Sequence, residues 1–170
     1  MIAKEHEDFL SRYTKPDIHY SYDDAPIAYL ASDSATSKHI DNAINTGNAS
    51  IKLAAAKSKA VTKEHLDKLL TDSNFYVRQQ AAKNPNCTKE HLDKALNDDS
   101  IDVREGAAMN PSASEEHIDK ALNDTAFVRI GAAKNSNITK EHLMKALNDR
   151  SMNVRDAARQ NPRYKQYFSN

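Results

Sequence analysis

A period of 26 residues governs this chain of 170. Aligned on itself, the sequence falls into units 32–57, 58–83, 84–109, 110–134 and 135–160, with one residue missing from the fourth and a partial sixth unit starting at Asn161. The later copies read NPNCTKEHLDKALNDDSIDVREGAAM, NPSASEEHIDKALNDTAFVRIGAAK and NSNITKEHLMKALNDRSMNVRDAARQ. A unit this short has too little apolar area to fold alone, so neighbouring copies must stack and share a core.

Within each unit the columns have local meanings. Thr36, Thr62, Thr88, Ser114 and Thr139 are N-cap residues, whose hydroxyls accept from backbone N–H groups at a helix start. Glu64, Glu90, Glu116 and Glu141 follow two positions later, where negative charge suits the helix dipole. Leu92, Ala95 and Leu96 fall at i, i+3 and i+4 and predict one buried helix face. Asn97-Asp98, Asn123-Asp124 and Asn148-Asp149 are turn formers that end this first helix. A second segment carrying Val103, Ala107 and Ala108 stops before Asn110-Pro111, because proline disfavours helical geometry in the residue before it. The alanine pairs, such as Ala81-Ala82 and Ala132-Ala133, are small enough for successive second helices to approach closely. Arg159 interrupts that column and predicts the end of the stack.

The run VR-x-x-A-A-x-N-P-x-x-T-x-E-x-L-x-x-L-x-x-D resembles the leucine-rich repeat variant family, and Asp followed six residues later by Arg is similar to HEAT repeats. The resemblance spans roughly residues 32–162. It implies an all-α fold, a right-handed α-solenoid of five helix pairs, with the second element either α or 3₁₀ and the second helices lining a concave face. Residues 1–31 and 161–170 are then N- and C-terminal caps. The iron–sulfur cluster known in the variant family depends on a cysteine-rich segment, which this chain lacks, so that cofactor is not carried over. Repeats of this shape mostly bind proteins, and some HEAT-like members remove alkylated bases from DNA.

Lys plus Arg and Asp plus Glu number 24 each, so the whole molecule lacks the positive excess that attracts nucleic acid or anionic lipid. Cys87 is the only cysteine, which excludes an intrachain disulfide and any multi-cysteine metal site. No apolar run reaches the roughly 20 residues needed to cross a bilayer, and the start MIAKEHEDFLSRY is too charged for a signal peptide. A cytoplasmic protein is expected, with no membrane association.

Four ladders are candidates for chemistry. His39, His65, His91, His117 and His142 share one column. Stacked helices lie roughly 8–10 Å apart, whereas two imidazole nitrogens on one zinc must sit within roughly 4 Å of each other, so bonding to the backbone or cap of the next unit is preferred over metal. Arg78, Arg104, Arg129 and Arg155, with Lys52, follow Asp72, Asp98, Asp124 and Asp149; by resemblance to HEAT repeats these bond within and between units. Asn84, Asn110, Asn135 and Asn161 read as amides capping the preceding helix, and Cys87 as a packing residue. With the arginines spent internally, Lys57, Lys83, Lys134 and Arg159 remain as the basic set of the concave face, opposed by Glu105 and Asp156.

Six of the seven tyrosines lie outside the repeats, and residues 1–31 carry three basic and six acidic side chains. Tyr20, Tyr22 and Tyr29 therefore form either a contact surface, since tyrosine is favoured at interface hot spots, or part of a cap on the first repeat. No phosphate-binding loop, nucleophile–base arrangement or isolated carboxylate pair is recognisable. The expected function is a non-enzymatic scaffold that binds a partner protein, without catalytic residues, cofactor or metal. The alternative is a nucleic-acid-binding solenoid using Lys57, Lys83 and Lys134. A HEAT-like DNA glycosylase needs an aromatic pocket with a placed carboxylate, and is disfavoured because the repeats hold only Phe75, Tyr76 and Phe127 and the chain has no Trp.

Overall fold

The computed structural model describes residues 25–45 and 48–168. These are all-α: α1 (Ala25–Leu30), α2 (Ser37–Asn45), α3 (Ala49–Lys57), α4 (Lys63–Leu69), α5 (Phe75–Ala82), α6 (Lys89–Ala95), α7 (Ile101–Ala108), α8 (Glu115–Ala121), α9 (Ala126–Lys134), α10 (Lys140–Leu147), α11 (Met152–Gln160) and α12 (Pro162–Phe168). Among the described residues there is no strand and no helix long and apolar enough to cross a membrane. The second element of each unit is an α-helix of eight or nine residues, which settles the choice between α and 3₁₀.

Each unit contributes one helix pair, with the helix starts where the cap column places them. The hydroxyls of Thr62, Thr88, Ser114 and Thr139 accept from the backbone N–H three residues on. The first helix buries Leu66 and Leu69, Leu92 and Ala95, Ile118 and Ala121, or Leu143 and Ala146, while Val77, Val103, Val128 and Val154 of the second helices are fully buried. All belong to one continuous core. Cys87 sits in it with Val61, Ala113 and Ile138 of its column. Its thiol donates to the Ala81 carbonyl at 3.2 Å, and burial pushes its pKa up to about 12, so it is a packing residue with almost no thiolate at neutral pH.

The closest backbone approaches between units join consecutive second helices: α3 to α5, α5 to α7, α7 to α9 and α9 to α11. Consecutive first helices beyond α4 are not among the closely approaching pairs. Small side chains cause this asymmetry. Ala81, Ala82, Ala107, Ala108, Ala132 and Ala133 are fully buried, and a Cβ at Gly106 or Gly131 would come within 3.0 Å of the Gln79 carbonyl oxygen or 3.1 Å of the Glu105 one. Replacing Ala107 by Leu is expected to cost about 1–3 kcal/mol or more by overpacking, read as a lowered urea midpoint; unchanged stability would mean that this column has room to spare.

The ends differ from the middle. Helix α1 packs on α3, on the side where every later second helix meets its predecessor, with Leu30 fully buried. At the other end α12 contacts α10 and α11, and Tyr164, Tyr167 and Phe168 pack against the core. Arg159, in the column of the buried alanines, is exposed, as befits the last second helix.

Candidate functional site

Three ladders of polar side chains run across the units, and each is spent on internal bonds. The asparagines are the most buried, Asn110 and Asn135 being 1% exposed. The Asn110 amide donates to the carbonyls of Ala82 at 2.6 Å and Asn84 at 2.8 Å, and its Oδ1 accepts from the Ser112 N–H at 2.7 Å. Asn84, Asn135 and Asn161 do the same one unit earlier or later. The amide thus satisfies carbonyls freed at the end of the second helix one repeat back, α5 for Asn110, and not those of the helix it directly follows, α7, which sequence reasoning had it capping. Ser58 holds this column in the second unit and reaches only its own turn, accepting from the Ala60 N–H.

The arginines point forward. Arg104 donates through Nε and Nη2 to both carboxylate oxygens of Asp124, at 2.8 and 3.1 Å, while its Nη1 donates to the Asp98 carbonyl of its own turn at 2.8 Å. Arg78 grips Asp98 and Arg129 grips Asp149 in the same bidentate way; Lys52 reaches Asp72 with one bond of 2.8 Å. Burial alone would raise the Asp98 carboxyl pKa, but the bonds from Arg78 and from the Ser100 N–H outweigh it and hold it below the ordinary value. Asp72, Asp124 and Asp149 are lowered by the same balance. The guanidiniums of Arg78, Arg104 and Arg129 are correspondingly raised, chiefly by the carboxylate bonds.

The histidines build a capping box in which imidazole takes the part usually played by Glu or Gln. Nδ1 of His65, His91 and His117 accepts from the backbone N–H of Thr62, Thr88 and Ser114 at 3.0–3.1 Å. A backbone N–H can only donate, so the ring proton lies on Nε2, which is 3.2 Å from Asp41, Asp67 or Asp93 of the preceding unit. Sequence reasoning points to the next unit; the ring instead bonds its own cap and the unit before. With one residue missing from the fourth unit, Asp119 and His142 are 23 residues apart where the other pairs are 24; Lys145 takes Asp119 at 2.9 Å, and His142 bonds Thr139. The signal for this role was the spacing Thr/Ser-x-x-His, recurring at the start of the first helix of each unit. Among the described residues no three His, Cys, Asp or Glu side chains converge as a metal site.

Two of the four candidate basic residues have an acidic partner close by. Lys57 and Lys134 are exposed at the ends of α3 and α9, Lys83 lies 3.6 Å from Glu105, and Arg159 is paired with Asp156 at 2.7 Å. Tyr29 is half-buried; its hydroxyl donates to the Ser34 carbonyl at 3.0 Å, and its ring meets His39 edge-on with centroids 5.0 Å apart. Tyr20 and Tyr22 lie outside the described residues. Sequence reasoning passed over Tyr76, Met109 and Phe127, which project from the second helices at 55%, 37% and 49% exposure. Tyr76 and Phe127 are the second residues of α5 and α9, and Met109 is the C-cap residue that follows α7. Tyr76 also stacks on Phe75, with ring centroids 3.9 Å apart. No protein-family model, characterised protein or solved structure matches the chain.

Proposed function

We propose that this chain is a non-enzymatic scaffold, a right-handed solenoid of five helix-pair repeats whose inner face recognises a partner protein. The tight approach of the second helices, against the looser first helices, supports a bend that puts the second helices on the inner side. One observation carries the binding role. The recurring polar side chains are consumed by the stack, whereas Tyr76 and Phe127, at the same position of α5 and α9, are exposed and lie outside the core. Exposed aromatic side chains of this kind supply large contact area at small entropic cost. The acidic counterparts of Lys83 and Arg159 leave little net positive charge for a phosphate backbone, which favours protein over nucleic acid. A cytoplasmic setting accords with one buried thiol and no disulfide.

The test is capture from native host lysate at low and high salt, with and without nuclease treatment, using the wild type and a Tyr76→Ser/Phe127→Ser double variant. A discrete protein is expected on the wild type and not on the variant, with stability unchanged to within about 1 kcal/mol because both positions are exposed. Nucleic acid retained at low salt and released by raised salt would overturn the reading and move the site to Lys57 and Lys134.

A further inference from the structure

Arg155 is the arginine of this ladder that grips no carboxylate among the described residues. In Arg78, Arg104 and Arg129, Nη1 is tied to a carbonyl of the residue's own turn, and this holds the Nε–Nη2 edge toward the Asp of the following unit. Arg155 has the same tether: its Nη1 donates to the Asp149 carbonyl at 2.7 Å and the Arg150 carbonyl at 3.1 Å. Its Nε and Nη2 meet no acceptor among the described residues. No described side-chain polar atom is both buried and unbonded, so this edge is open to water. The fork that three other units fill with a carboxylate is therefore held in place and unfilled.

We infer that Arg155 is the receptor for an aspartate side chain carried on a turn of a partner polypeptide. Three features select that ligand. The planar edge with two parallel N–H groups fits the two oxygens of a carboxylate, and its tether means that little ordering is left for binding to impose. The surroundings are basic: between positions 150 and 165, Arg150, Arg155, Arg159, Arg163 and Lys165 face one acid, Asp156. Met152, one helical turn before Arg155 and 65% exposed, offers an apolar contact beside the fork. The internal occupants show the form that fits, since Asp98 and Asp149 also accept the backbone N–H two residues on and so present their carboxylates from a tight turn. The proposal concerns the end of the stack and is independent of the inner-face reading.

The probe is a capped peptide with the sequence of residues 97–101, NDDSI, added to the full chain while the Arg155 Nε–H resonance is followed by NMR. That resonance is expected to shift and saturate, while those of Arg78, Arg104 and Arg129, already occupied, stay put. A peptide with both Asp changed to Asn should leave it unmoved. The Arg155→Lys variant should bind about tenfold more weakly, because it keeps the charge and loses the fork; Lys52 shows that lysine is accommodated in this column. No shift, or an equal shift with the Asn peptide, would overturn the proposal. An equal response to inorganic phosphate would make the fork a general anion site, and a shift that follows protein concentration without peptide would make the occupant a second copy; either overturns it as stated.

Discussion

Asn110→Asp, a change of one nitrogen to one oxygen, is expected to cost about 4 kcal/mol at neutral pH, among the largest losses any surface-neutral substitution could produce here. The shape of the side chain and its bond from the Ser112 N–H are kept. What changes is that a group donating to two buried carbonyls, those of Ala82 and Asn84, becomes an acceptor facing two acceptors. Asn110→Ala should cost less, about 2–3 kcal/mol, since it leaves polar groups without partners but introduces no charge. The introduced carboxyl binds its proton more readily folded than unfolded, so its penalty shrinks as pH falls. Urea denaturation at neutral and acid pH measures both, and a neutral-pH loss below about 1 kcal/mol would show that the amide is not holding the units together.

Arg129→Ala should cost about 3–5 kcal/mol, because removing one partner of a buried pair strands the other. Arg129 is 6% exposed and Asp149 keeps 12% of its side chain accessible, so water cannot take over. For a chain of this length that is a fall in Tm of roughly 6–20 °C. Arg155→Ala, in the same column, removes only carbonyl bonds and should cost about 1 kcal/mol; equal losses at the two sites would refute the importance of the carboxylate. The pH dependence follows from the lowered carboxyls of Asp72, Asp98, Asp124 and Asp149. Their folded pKa values lie below the unfolded value of about 3.9, so the unfolded chain takes up protons first on acidification. The stability they contribute is complete above that value and is lost as pH falls through the folded values. In Arg129→Ala the share belonging to Asp149 is already gone, and the acid limb of the stability curve should be shallower.

Much of this architecture is legible because its determinants are local. Thr62, Thr88, Ser114 and Thr139 mark helix starts by a bond only three residues long, and the alanine columns announce close packing by size alone. Direction is harder to read. Asp98 and Arg104 are six residues apart and Arg78 and Asp98 twenty, and either spacing permits a pair; the carbonyl of Asp98 takes Arg104, and its carboxylate takes Arg78. The histidine column was readable as structural, but which unit it bonds depends on where Asp41, Asp67 and Asp93 project. Gly106 and Gly131 carry no local signal; their reason is the backbone of the neighbouring helix beside them. The proposed binding face was the least legible, since its column holds Tyr76 and Phe127 in two units but Ser50, Asp102 and Asn153 in the others, and a period search discards a column that varies.

The forward-pointing arginines and backward-reaching asparagines and histidines give the third and fourth units the same two unlike faces, one gripping and one gripped. A whole unit can therefore be gained or lost between two others with each severed bond replaced by its equivalent, as in a row of identical couplings. Length is then free to vary by duplication or loss of whole units, and the 25-residue fourth unit shows what a smaller change does: the arginine and asparagine ladders run through it unbroken, while Asp119 is bonded by Lys145 in place of His142.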